Sequence, residues 1–168
     1  MEDRYAQAFP SFGSERTGAP VMAFCRIDDR PIRVREPVTQ PDALVIQDAT
    51  LLHQLNVFDG LRSGGAVLIN SPRPVADLGL GDLADHALTI PATALAPRHF
   101  GRPVPNAVLL LGLAALTDCV AIDSLTAAVR ERFPGELGTA NAAAAREAYD
   151  HVRAQRAQRE EPTHVQAD

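Results

Sequence analysis

The sequence predicts an α/β fold: a three-layer sandwich with a mostly parallel central sheet, helices on both faces and a helical C-terminal half. Short apolar runs bounded by turn residues fill the first half and are typical of buried strands. The second half carries the longer apolar periodicity of helices. The chain has 168 residues, of which 46% are hydrophobic and 22% charged. That length suits one domain with its own core.

The predicted strands come first, and their apolar and aromatic content supports them. They lie at 4–9, 19–28, 43–46, 66–70 and 86–92. Residues 30–38 are expected to be a short edge strand or an extended linker, because Pro31 and Pro37 limit pairing. Gln47 and Asp48 directly follow the third run, so we expect a loop there, at the carboxyl end of a buried parallel strand.

Three helices are predicted in the second half, at 107–116, 124–133 and about 138–155. The first is apolar on every side and is therefore expected to pack deeply. Asp123 or Ser124 is expected to cap the second, which Pro134 and Gly135 end. Apolar stripes predict the buried faces of the last two helices: Leu125, Ala128, Val129 and Phe133 on one, and Ala140, Ala144, Ala148 and Val152 on the other.

The domain organisation expected from these elements is one α/β domain over 1–155. Residues 156–168 are polar and are expected to form a flexible tail. The longest apolar run, 107–116, is well short of the roughly 20 residues that a membrane span needs. No signal-peptide hydrophobic region follows Met1. The sequence therefore predicts a soluble, cytoplasmic protein.

Composition argues against several classes of site and partner. A net charge of -5 gives no broad attraction for nucleic acid or anionic membranes. Cys25 and Cys119 stand in apolar surroundings without a CxxC motif, so we expect buried reduced thiols and no iron–sulfur cluster on this chain alone. The five histidines form none of the spacings typical of metal ligands. We predict no catalytic and no metal-binding residue.

The stretch 9-FPSFGSERTGAP-20 has two glycines at the spacing of a phosphate-binding P-loop. A P-loop needs Lys and then Ser or Thr after the second glycine, whereas Ala19 and Pro20 stand there, so this chemistry is excluded. Two interpretations remain open. Arg16 could bind a carboxylate or phosphate with nearby backbone N–H groups. Alternatively, Glu15 and Arg16 could be solvated or pair with a neighbour, while the glycines serve the turns.

The residues also resemble a known family. The resemblance is carried by 5-YAQAFPSFGSERTGAPVMAFCRIDDRPI-32, 42-DALVIQDATLL-52, 57-VFDGLRSGGAVLINS-71, 105-PNAVLLLGLAALT-117, 124-SLTAAVRERFPG-135 and 139-TANAAAAREAY-149. Together these segments look like the gamma subunit, or fused gamma domain, of the pyruvate and related 2-oxoacid:ferredoxin (flavodoxin) oxidoreductases. The first segment is the most specific of them.

The resemblance implies a subunit that is inactive alone. Enzymes of this family decarboxylate a 2-oxoacid to an acyl-coenzyme A, or run in reverse, and pyruvate is the expected substrate. The resemblance implies that thiamine diphosphate, Mg²⁺, iron–sulfur clusters and coenzyme A are used through other subunits. The implied partners are alpha, beta and ferredoxin-like (delta) subunits, with ferredoxin or flavodoxin as electron acceptor. No cofactor is expected to bind this chain alone.

Within this family, the opening stretch is expected to be a contact surface. Ser14, Glu15, Arg16 and Thr17 are expected to face the thiamine-bearing subunits near coenzyme A. Family members usually begin with a strand, a G-x-G-G-Q-G loop and a helix, and this sequence contains none of the three before Arg4. A misplaced start, a separate chain or a true loss would each explain this difference. The alternative functions are a non-catalytic interaction protein or truncated remnant, and an independent small-ligand-binding protein.

Overall fold

The computed structural model of the chain describes residues 2–11, 20–100 and 105–160. Contacts between residues divide the chain into two compact units, Met1–Pro41 and Asp42–Asp168, where the sequence favours one domain over 1–155. The division follows the distribution of apolar burial. None of the described residues of the first unit is buried, whereas the second contains the whole hydrophobic core of the described part.

The first unit contains an antiparallel hairpin of β1, Tyr5–Ser11, and β2, Met22–Asp28. Both strands were expected, but they form a sheet of their own and do not join the parallel sheet. The short connection 12–21 accounts for their antiparallel pairing, because parallel neighbours need a crossover of about a dozen residues or more. No strand forms within 30–38, so the linker interpretation of that segment is confirmed.

The second unit contains a parallel sheet in the order β3-β4-β5. Its strands are Ala43–Ile46, Ala66–Asn70 and Ala87–Ile90. They coincide with the three buried runs predicted from sequence, and the α/β fold class is confirmed. Every residue of β5 and the three central residues of β4 are buried, as expected for parallel strands covered on both faces.

The described residues of this unit form four α-helices: α1 is Ala92–Phe100, α2 is Asn106–Thr117, α3 is Ile122–Arg132 and α4 is Glu136–Glu160. The prediction finds α2, α3 and α4 but misses α1. A proline at position 97 breaks the helical pattern of that segment in the sequence, since proline inside a helix removes a backbone donor. The helical C-terminal half is confirmed.

Two predicted helix ends are wrong. α3 begins at Ile122, and neither Asp123 nor Ser124 is its N-cap, because Ala121 occupies that position without a side-chain bond. Asp123 lies instead in the first turn, where its charge complements the helix dipole. α4 continues to Glu160, so the described part of the expected flexible tail is helical.

Side chains near the end of α4 explain why the helix extends into the expected tail. Arg156 Nη1 donates to the carbonyl of Ala115 at 2.9 Å and to Asp118 Oδ2 at 2.7 Å. Arg159 Nη1 donates to the carbonyls of Ala84 and Asp85, at 3.2 and 3.3 Å. These bonds fasten the last turns of α4 to the C-terminal end of α2 and to the segment before β5.

The α-helical face of the sheet carries the larger part of the core. Leu68, Leu88 and Ile90 pack there against α1, α2 and α4. The predicted stripe of α4 is confirmed, since Ala144, Ala148 and Val152 are fully buried, with Ala140 partly so. The stripe of α3 is confirmed except at Ala128, which is exposed.

Short 3₁₀ helices and loops cover the other face of the sheet in the described part of the chain. The 3₁₀ helices are Ala49–His53, Val75–Leu78 and Gly81–His86. Val67 and Ile69 of β4 pack there against Val75 and Leu78. The three-layer arrangement with helices on both faces stays a prediction, because α1, α2 and α4 all pack on the opposite face.

The expectation of buried thiols is wrong for Cys25, which is exposed, whereas Cys119 is partly buried. Cys25 belongs to a two-stranded sheet, and such a sheet has no second layer of its own to cover both faces. Within residues 2–11, 20–100 and 105–160, no helix is both long and apolar enough to cross a membrane.

Candidate functional site

The carboxyl ends of β3, β4 and β5 meet at one edge of the parallel sheet. Ile46 pairs with Ile69, and Asn70 pairs with Ile90, so the three strands end within one residue of each other. Polar residues follow the first two strands and the start of α1 follows the third. In open α/β sheets ligands bind outside this edge, and we take it as the candidate site of the second unit.

Asn70 holds this edge together. Its Nδ2 donates to the carbonyl of Gln47 at 2.9 Å and to Thr93 Oγ1 at 2.8 Å. Its Oδ1 accepts from the backbone N–H of Thr93 at 3.2 Å. One amide side chain therefore connects the ends of β3 and β4 to the first turn of α1.

The bond from the Thr93 N–H to Asn70 Oδ1 also takes the place of a side-chain cap at the start of α1. The carbonyl of Pro91 accepts from the N–H groups of Ala94 and Leu95, at 2.9 and 3.0 Å, which marks the start of α1. A proline side chain has no acceptor for the N–H groups of the first turn. Asn70 supplies that acceptor from β4, so α1 is capped by a residue far away in sequence.

Asp48 lies at this edge, and its pKa is lowered from its ordinary value. Its Oδ1 accepts from the Thr50 hydroxyl at 2.7 Å and from the Thr50 N–H at 2.9 Å, which caps the 3₁₀ helix Ala49–His53. These bonds lower the pKa of Asp48 below 3.8, with the hydroxyl bond as the larger cause. Asp48 is therefore a carboxylate at neutral pH.

The chemistry available at this edge is that of hydrogen bonding. It offers amide, hydroxyl and carboxylate groups from Asn70, Thr50, Thr93 and Asp48. Among the residues that the structure describes, no group of three or more His, Cys, Asp or Glu is placed to hold a metal ion. The arrangement can position a polar partner or ligand.

Other clefts lie among the described residues of the second unit. An open cleft of about 710 Å³ borders the turn between α3 and α4 and is lined by Arg130, Phe133, Gly135 and Gly138, among others. A cleft of about 240 Å³ lies at the opposite edge of the sheet, between His86, Arg156 and Arg159. Both arginines donate to backbone carbonyls, so we interpret them as structural residues.

The residues predicted as the contact surface, Ser14, Glu15, Arg16 and Thr17, lie outside the described residues. Their role stays a prediction. The structure adds Asn70 and Thr93, which sequence reasoning did not identify. A signal existed for Asn70, because it is the polar last residue of an otherwise apolar predicted strand. Thr93 was missed because α1 was missed.

Replacing Asn70 with Ala is expected to lower the free energy of unfolding by about 1–2 kcal/mol. The Gln47 carbonyl, the Thr93 hydroxyl and the Thr93 N–H would each lose their partner. Urea denaturation monitored by circular dichroism measures it. The matched control is Thr93→Val, which removes the hydroxyl and keeps the backbone bond to Oδ1. We expect it to cost about half as much. Equal stability of Asn70→Ala and wild type would contradict the capping role.

Replacing Thr50 with Val is expected to raise the pKa of Asp48 towards 3.8, because the hydroxyl donor is lost and only the backbone bond remains. In the wild type, ionised Asp48 stabilises the folded state above pH 3.8, because its pKa is lower in the folded than in the unfolded chain. This contribution is lost as the pH falls through the folded-state pKa.

Carbon-detected NMR titration of the Asp48 carboxyl group measures the shift in pKa that Thr50→Val causes. Thr50→Ser is the control and should leave the pKa unchanged; equal values for both variants would contradict the assignment.

Comparison with known proteins supports both the α/β fold and the family resemblance that the sequence shows. A family described as "Pyruvate ferredoxin/flavodoxin oxidoreductase" matches residues 1–151. The chain is 46% identical to "Pyruvate synthase subunit PorC" of Methanothermobacter thermautotrophicus, over 90% of this chain and 81% of that protein. It is 41% identical to "Pyruvate/ketoisovalerate oxidoreductases common subunit gamma" of Thermococcus litoralis, over 89% of this chain and 82% of that protein.

A solved structure agrees with these relatives. The crystal structure of pyruvate oxidoreductase subunit PORC from Thermotoga maritima superposes with a TM-score of 0.73 and 31% identity, over 88% of this chain and 79% of that one. The shared fold, the sequence identity and the family match all cover both units of the chain. The chain belongs to the pyruvate ferredoxin/flavodoxin oxidoreductase family.

Proposed function

We propose that this chain is the gamma subunit of a 2-oxoacid:ferredoxin oxidoreductase complex, with pyruvate as its expected 2-oxoacid. The family match over residues 1–151 is the observation that carries the proposal. Relatives named as PorC or as common subunit gamma, at 40–46% identity, support it. The complex converts the 2-oxoacid and coenzyme A to acyl-coenzyme A and CO₂ and passes two electrons to an acceptor, or runs in reverse.

The proposal assigns the reaction centres to other chains. Thiamine diphosphate, Mg²⁺ and the iron–sulfur clusters belong to alpha, beta and ferredoxin-like delta subunits, and ferredoxin or flavodoxin accepts the electrons. This chain contributes surfaces that complete the assembly, and the carboxyl edge with Asn70 and Asp48 is one polar surface available for that purpose. No nucleic acid is a partner, and the proposed location is the cytoplasm.

Reconstitution tests the proposal directly. The alpha, beta and delta subunits of the same organism are co-expressed with and without this chain. Pyruvate- and coenzyme A-dependent reduction of methyl viologen is then measured, with 2-oxoisovalerate as second substrate. We expect full activity only with this chain present, and none from the chain alone. Failure of the chain to co-purify with any of the three, together with equal activity in its absence, would refute the proposal.

Ser14, Glu15, Arg16 and Thr17 keep their predicted role as the surface that meets the thiamine-bearing subunits near coenzyme A. Arg16→Ala is expected to weaken assembly or to raise the KM for coenzyme A by about tenfold, the usual size of a lost charge-assisted contact. Steady-state kinetics of the reconstituted complex measures the KM, and Arg16→Lys separates the loss of charge from the loss of the planar fork. Unchanged assembly together with an unchanged KM would refute this role.

A further inference from the structure

We draw no further inference here: the strongest candidate, the open cleft that Arg130, Phe133 and Gly138 line beside the turn between α3 and α4, lies at the N-terminus of α4, and no second feature of the described residues shows which ligand or partner fills it.

Discussion

Leu68→Ala is expected to lower the free energy of unfolding by about 3–5 kcal/mol, one of the two largest effects of a single substitution that we expect in this chain. Leu68 is fully buried in the middle of β4 and packs in the cluster that joins the sheet to α1, α2 and α4. The neighbouring helices are held by their own contacts and cannot collapse fully into the space. A cavity therefore remains and adds to the lost transfer free energy.

Urea denaturation of the full chain measures this loss, and Val45→Ala is the matched control. Val45 is the register partner of Leu68 on β3 and is 39% exposed, so its truncation should cost about 1 kcal/mol or less. A loss below about 1.5 kcal/mol for Leu68→Ala would show that this cluster is loosely packed.

Gly112 provides an independent check on the same contact. A Cβ at Gly112 would lie 2.9 Å from Leu68 Cδ2, closer than packed carbon atoms approach. Gly112→Ala should therefore give no gain in wild type, although alanine favours helices over glycine by about 1 kcal/mol. In the Leu68→Ala background the obstacle is gone, and the same change should stabilise the protein. Additive effects of the two changes would contradict this packing.

The core of the second unit could be predicted from sequence because its signals are local and strong. The residues 43–46 and 66–69 are apolar without interruption, and a run of that length suits a buried parallel strand better than a helix. The alanines of α4 recur at helical spacing, which fixes the buried face without knowledge of the partner. These elements form in the structure where the patterns place them.

The features that sequence reasoning missed depend on contacts between distant residues. The proline at position 97 obscures α1, and the cap of α1 comes from Asn70 on another strand rather than from a neighbouring residue. The extra length of α4 depends on acceptors at Ala115 and Ala84. No local propensity encodes these partners, so the helix ends were placed wrongly.

The candidate site was accessible to sequence reasoning only in part. Gln47 and Asp48 were recognised as polar residues at a strand end, but the sequence does not show that Thr50 holds the carboxylate. The separation of β1 and β2 from the parallel sheet was not foreseen, since strand propensity does not encode which strands pair.

Gly138→Ala is expected to lower the free energy of unfolding by about 3 kcal/mol, against the direction that helix propensity predicts. Gly138 lies in the first turns of α4, and a Cβ there would collide with the carbonyl oxygen of Phe133. That oxygen belongs to the backbone of the turn after α3, which cannot move aside as the end of a flexible side chain can. The turn or the start of α4 must therefore shift.

The control for Gly138→Ala is the reverse exchange in the same helix. Ala143 is exposed, so Ala143→Gly should cost about 1 kcal/mol from propensity alone. If propensity governed both positions, Gly138→Ala would stabilise the protein by a similar amount. Thermal and urea unfolding of the two variants measure the change in the free energy of unfolding. If both substitutions destabilise the protein, the collision at Gly138 is confirmed, because helix propensity alone would make the two changes opposite in sign.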